Sequence, residues 1–113
     1  MLTVFGIKQC DTCRKALKWL DGRMEYRFHD VRADGLQREQ VESWLASDFA
    51  EVLINKRSTT WRQLSETDRQ AQGHDWVDLL LAHPTLIKRP VFVDGDVVAV
   101  GFGPQTQKML LGA

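Results

Sequence analysis

Apolar positions recur along this chain with two different periods, and the changes between them sketch an architecture. Leu2, Val4 and the residues between them form a short apolar and β-branched run that closes at Gly6 and Ile7. That is the pattern of a buried strand ending at a permissive backbone position. From Cys10 the spacing becomes helical: Cys13, Ala16, Leu17 and Leu20 share one face, Arg14, Lys15, Lys18 and Asp21 point elsewhere, and Asp21-Gly22 stops the pattern. Met24, Tyr26 and Phe28 then alternate with Glu25, Arg27 and His29, the period of a strand with one covered face. The order β-α-β favours two parallel strands joined by a right-handed crossover.

After Asp34-Gly35 a second helix is expected from Leu36 to Ala46, burying Val41, Trp44 and Leu45. Between Ser47 and Gly73 the pattern breaks into pieces: Phe49, Val52, Leu53 and Ile54 predict a short helix, and Asn55 to Thr59 a loop. Thr60 with Gln63 reads as a capping box that opens a turn over Trp61 to Leu64, and Ser65 as the cap of another short helix. A helix from His74 to Ala82 buries Trp76, Val77, Leu80 and Leu81 and ends before Pro84. Val91 to Val93 and Val97 to Val100 flank Asp94-Gly95-Asp96, the signal of an antiparallel hairpin, and Gly101, Gly103 and Pro104 release a last helix from Gln105 to Leu111. The four tryptophans, Trp19, Trp44, Trp61 and Trp76, are expected to be mostly helix-face core. The sum is an α/β chain: one thioredoxin-like domain over residues 1–113, a four-stranded mixed sheet with flanking helices, and a helical insertion at about 34–73 after the first β-α-β unit.

Composition narrows the function. A chain of 113 residues that is 43% hydrophobic can bury a core without disulfide or metal staples. Fifteen Lys and Arg balance fifteen Asp and Glu, so no global field draws in nucleic acid or an anionic membrane, and any anion site must be local. No segment approaches the roughly 20 apolar residues of a membrane span. The opening Met-Leu-Thr-Val-Phe lacks the charged and long apolar regions of a secretion signal, which gives the expectation of a cytoplasmic protein. In that reducing compartment two cysteines three residues apart are not a structural staple.

Those cysteines carry the chemistry. Cys10 opens the first helix, where exposed N–H groups and the helix dipole favour a thiolate, with Lys8, Arg14 and Lys15 adding positive charge and Asp11 opposing it. Cys13, less exposed in the first turn, is placed to attack a mixed disulfide on Cys10 and release its partner. The roles are nucleophile and resolver. The alternatives are a zinc half-site and a pair without catalytic role; zinc would need two further ligands, there is no third cysteine, and His29, His74 and His83 lack ligand spacing, so no metal is expected. Lys88-Arg89-Pro90 precedes a strand that should lie beside the first, which would make Pro90 a candidate cis-proline and aim the Arg89 guanidinium at the thiols; the alternative is an ordinary surface arginine. Asn55 to Arg62, including Arg57, is the most cationic loop, suited either to an acidic ligand or to a plain solvated connector.

Four stretches together resemble a known family: Phe5-Gly6-Ile7-Lys8-x-Cys10-Asp11-Thr12-x-Arg14-Lys15-Ala16 with Trp19-Leu20, Tyr26 to Asp30, Asn55-x-Arg57-x-Thr59-Thr60-Trp61-Arg62-x-Leu64, and Ile87 to Val91. The chain is similar to the YffB-like branch of the ArsC/Spx (arsenate reductase-like) family over nearly its whole length. The resemblance implies Cys10 as the catalytic cysteine, a cis bond between Arg89 and Pro90, and glutathione-dependent reduction of thiol substrates. It also implies that Arg89 stands for one of three oxyanion-holding arginines of true arsenate reductases, while Glu51 and the Phe102-Gly103 region fall where the other two would be, which disfavours arsenate reduction. Cys13 completes a pair like that of Spx regulators. The expected function is therefore a thiol-disulfide oxidoreductase with Cys10 and Cys13 catalytic and Arg14, Arg57, Arg89 and Pro90 holding substrate. Glutathione would be co-substrate, no cofactor would be tightly bound, and glutaredoxin or thioredoxin are possible redox partners. The alternative is a redox switch that binds RNA polymerase, in neither case with direct contact to nucleic acid or membrane.

Overall fold

A computed structural model describes residues 1–71 and 74–112, without the side chain of His74. The elements are β1 (Leu2–Gly6), α1 (Asp11–Leu20), β2 (Tyr26–Asp30), α2 (Arg38–Leu45), α3 (Ala50–Leu53), α4 (Thr59–Gln63), α5 (Glu66–Arg69), α6 (His74–Ala82), a 3-10 turn at Pro84–Leu86, β3 (Val91–Asp94), β4 (Asp96–Val100) and α7 (Pro104–Leu110). The expected end of the helical insertion at residue 73 falls outside the described residues.

The sheet runs β2-β1-β3-β4. β1 pairs parallel with β2, Leu2 opposite Tyr26, and antiparallel with β3, Val4 opposite Phe92; β3 and β4 form the hairpin. The mixed four-stranded sheet with helices against it is the thioredoxin-like arrangement. Strand alternation sends neighbours to opposite faces. Leu2, Val4, Phe92 and Ala99 meet Ala16 and Leu20 of α1 on one face, whereas Phe5 and Val91 join Val41 and Trp44 of α2, Leu53, and Val77 and Leu80 of α6 on the other. Covered on both sides, the central strands carry apolar residues at consecutive positions, and the edge strand β2 keeps its alternation. Among the described residues no helix is long and apolar enough to cross a membrane.

Local chemistry moves several boundaries. The second helix starts at Arg38 rather than Leu36 because Gln37 and Gln40 cap each other reciprocally, the Gln37 N–H donating to Gln40 Oε1 at 3.0 Å. Thr60 is not a cap. Ser58 is, its Oγ accepting the Trp61 N–H at 3.1 Å, while the Thr60 hydroxyl turns away to meet that of Thr85 at 2.6 Å. Ser65 does cap the following turn, accepting from Asp68 N–H. The helix expected to reach Ile54 stops at Leu53, since Ile54 is extended and bridges Ile87, with Asn55 N–H donating to Leu86 O at 2.8 Å and Lys88 N–H to Leu53 O at 2.7 Å. Only Trp44 of the four tryptophans is buried in the core; Trp61 and Trp76 are half-covered and stack on each other with ring centroids 6.1 Å apart, and Trp19 leans on Phe102.

Helix α1 lies so close to β1 that a side chain at the end of the strand has nowhere to go. A Cβ on Gly6 would fall 2.6 Å from Cys13 Sγ. Gly6→Ala should therefore cost about 1–3 kcal/mol of stability by urea denaturation. Shortening the helix residue in Gly6→Ala/Cys13→Ala should recover part of that loss, and strictly additive single and double variants would show that the contact is not the cause.

Candidate active site

Cys10 is the residue just before α1, held extended at φ −82° and ψ 122°. Its N–H donates to Ile7 O at 3.0 Å and its carbonyl accepts the Arg14 N–H at 3.0 Å, so the turn that carries the sulfur is fixed from both sides. One helical turn on, Cys13 is completely buried, while Cys10 is partly exposed. Both thiols are free.

Their surroundings separate their acidities. Burial opposes ionisation of Cys10, but the Cys13 N–H, the Cys13 thiol and the Arg89 guanidinium together hold its pKa below the ordinary thiol value of 9.0. For Cys13 burial dominates, and with the neighbouring Cys10 charge it outweighs the Ile7 backbone and Arg89, pushing the thiol up to about 11.

Arg89 is built into place. Its Nη1 donates to Thr85 O at 2.8 Å and Ile87 O at 3.2 Å, its Nε is buried without a partner among the described residues, and its peptide bond to Pro90 is cis. Hydrogen bonding between Gly101 N–H and Pro90 O at 2.8 Å ties this segment to the end of β4. Arg89 is thus held half-buried just before β3, an interior strand of the sheet.

The other expected cations sit elsewhere. Arg14 donates from Nε to Lys8 O at 3.0 Å and lies 3.6 Å from Asp11, so it braces the loop and is largely exposed. Arg57 lines a shallow groove with Val52, Ile54, Asn55, Lys56 and Lys88. Neither is among the main influences on either sulfur, where Arg89 supplies the positive charge. Glu51 lines an apolar cleft with Leu45, Ile54 and Trp76. No group of metal-ligating side chains occurs among the described residues, and the His74 side chain lies outside them.

Asp30 closes the Tyr26 to Asp30 stretch, but it has no role in the site as read from the sequence alone. At the end of β2 it is buried, its Oδ2 accepting Lys8 N–H at 3.0 Å and its Oδ1 accepting Arg32 and Ala33 N–H at 2.8 and 2.9 Å. It anchors the loop two residues before Cys10. Desolvation works against its charge, but the Ala33, Lys8 and Arg32 N–H groups prevail and lower its pKa. The hint in the sequence is an acid closing a strand parallel to β1.

With the site's geometry established, comparison with known proteins identifies its lineage. The ArsC family model matches residues 5–109. The chain belongs to the ArsC family. It is 45% identical over 107 residues to an uncharacterised protein of Haemophilus influenzae, covering 90% of this chain and 91% of that one. It is 29% identical over 105 residues to the global transcriptional regulator Spx of Streptococcus pyogenes, covering 90% of this chain and 78% of Spx. The solved structure of a YffB protein superposes with a TM-score of 0.85 at 37% identity, covering 96% of each chain. An ArsC-related protein of Brucella melitensis superposes at 0.75 and 37%, over 99% of this chain and 95% of that one. A Vibrio cholerae arsenate reductase shares the fold at a TM-score of 0.76 and 16% identity, covering 97% and 95%. ArsC proteins are a thiol-based redox family whose Spx members are regulators.

Two predictions follow from the electrostatics. Thiolate absorbance should titrate in two steps, the first below pH 9.0 and the second near 11. Cys10→Ser should remove the first and lower the second, because the charge that raises Cys13 is gone; a single step at an ordinary thiol pKa would refute the assignment. The depressed pKa of Asp30 stabilises the fold above the unfolded value of about 3.9 and the contribution disappears as pH falls through the folded value. The urea midpoint gap between wild type and Asp30→Asn should accordingly shrink in acid, and a gap constant from pH 7 to pH 3 would contradict it.

Proposed function

We propose that this protein is a small cytoplasmic thiol-disulfide oxidoreductase, dependent on glutathione, in which Cys10 is the nucleophile and Cys13 resolves. The observation that carries this is the pair of sulfurs at the start of α1, one accessible and acidified beside Arg89, the other fully buried behind it. The Cys10 thiolate attacks a disulfide or glutathione mixed disulfide, forming a mixed disulfide and expelling one thiolate. Cys13, losing its proton, attacks the Cys10 sulfur and expels the second thiolate, leaving a Cys10–Cys13 bond. Two electrons return the pair to dithiol, supplied by two glutathione molecules, which leave as glutathione disulfide, or by glutaredoxin or thioredoxin. Arg89 stabilises the reacting Cys10 sulfur, and the groove of Lys56, Arg57 and Lys88 offers cations for the carboxylates of glutathione or of an acidic substrate.

The similarity to Spx supports a second reading, a redox-dependent regulator that engages RNA polymerase through the state of the same two cysteines. Pull-down from lysate under oxidising and reducing conditions separates the two. Glutathione-coupled reduction of a small disulfide should be lost in Cys10→Ser and diminished in Cys13→Ser. Equal turnover by wild type and Cys10→Ser would overturn the enzymatic reading.

A further inference from the structure

Arg89 is held by main-chain carbonyls of the turn that precedes it, so its place depends on whatever fixes that turn. Nη1 is committed to Thr85 O and Ile87 O, and the buried Nε has no partner among the described residues. Thr85 lies in the 3-10 turn at Pro84–Leu86, and its hydroxyl meets the Thr60 hydroxyl at 2.6 Å, 25 residues away in sequence. Thr60 belongs to α4, whose start is fixed by the Ser58 cap and by Ser58 Oγ–H donating to Asn55 O at 2.7 Å. The same two segments are stitched a second time where Asn55 N–H meets Leu86 O and Lys88 N–H meets Leu53 O. This makes a continuous polar path from α4 through two threonines to the guanidinium.

We propose that the Thr60–Thr85 hydroxyl pair is a positioning element, through which the segment between β2 and α6 sets the placement of the Arg89 guanidinium against Cys10. Neither threonine touches substrate. Both act through the Thr85 carbonyl, and the pair has a cost to losing one member, because a half-buried hydroxyl left alone loses its partner while removal of both leaves none unpaired. The groups acting on the Cys10 sulfur are Cys13 from α1 and Arg89 from the turn before β3, so a displaced Arg89 removes the one favourable full charge among them.

The positioning role rests on the proposed role of Cys10 as reactive thiolate, and the experiment reads that role first. The rate of Cys10 alkylation by iodoacetamide is followed against pH in a Cys13→Ser background, with urea midpoints measured alongside. Wild-type threonines should give a midpoint below that of an ordinary thiol. Thr60→Val and Thr85→Val should each move it upward, far enough to slow alkylation at neutral pH roughly threefold, and Thr60→Ser and Thr85→Ser should restore it. In an Arg89→Met background Thr60→Val should move the midpoint no further, the non-additivity expected of groups acting through one intermediary. A normal midpoint with the threonines intact would remove the thiolate reading itself. A low midpoint that is unmoved by the valine variants, or moved equally with and without Arg89, would overturn the positioning role alone.

Discussion

The structure depends on the close seating of the first turn of α1 against the end of β1. Cys13 sits on the bare backbone of Gly6, and that contact sets the height and tilt at which the helix begins. Cys10, one turn earlier, is thereby lifted to the rim of the sheet with the helix N–H groups behind it. The opposite wall comes from the strand pairing: β3 runs antiparallel beside β1, which brings the Arg89-Pro90 bend at its start to the end of β1 where Cys10 lies. A helix seated further away would admit a side chain at residue 6 and leave Cys13 partly wet, and the two sulfurs would lose their difference in character.

That difference has a simple physical origin. Both thiols share one turn of helix and both feel the same guanidinium, yet desolvation dominates at Cys13 and is outweighed at Cys10. Depth separates them more than sequence context does. Asp30 contributes by accepting three backbone N–H groups, that of Lys8 in the loop leading to Cys10 and those of Arg32 and Ala33 after β2, so one carboxylate ties that loop to the end of β2.

Much of this is legible in the residues. The two hydrophobic periods place all four strands and the long helices, and the Asp94-Gly95-Asp96 turn and Ser65 cap read directly, because each rests on local chemistry. The spacing of the cysteines locates the thiol site, and Pro90 before a central strand points to its opposite wall. What escapes are choices made by distant partners. Thr60 satisfies the sequence rule for a cap, but Thr85 competes for its hydroxyl and Ser58 takes the cap. Ile54 carries helical spacing, yet pairing with Ile87 draws it extended. Arg14, Arg57 and Arg89 are all substrate-holding candidates in the sequence; the fold shows that the first braces a loop, the second rims a groove, and the third is held by backbone carbonyls and acts on the sulfur.

The unequal depth of the two cysteines also bears on the lifetime of an oxidised state. Were the sulfurs joined, an incoming thiol could approach only Cys10, since Cys13 is sealed beneath it. Attack there must expel Cys13, the more basic and therefore slower leaving group, whereas the better leaving group would depart only from an attack that the packing forbids. Access and leaving-group ability thus point to opposite sulfurs, and the bond would act as a latch whose release is timed by the burial of a single side chain.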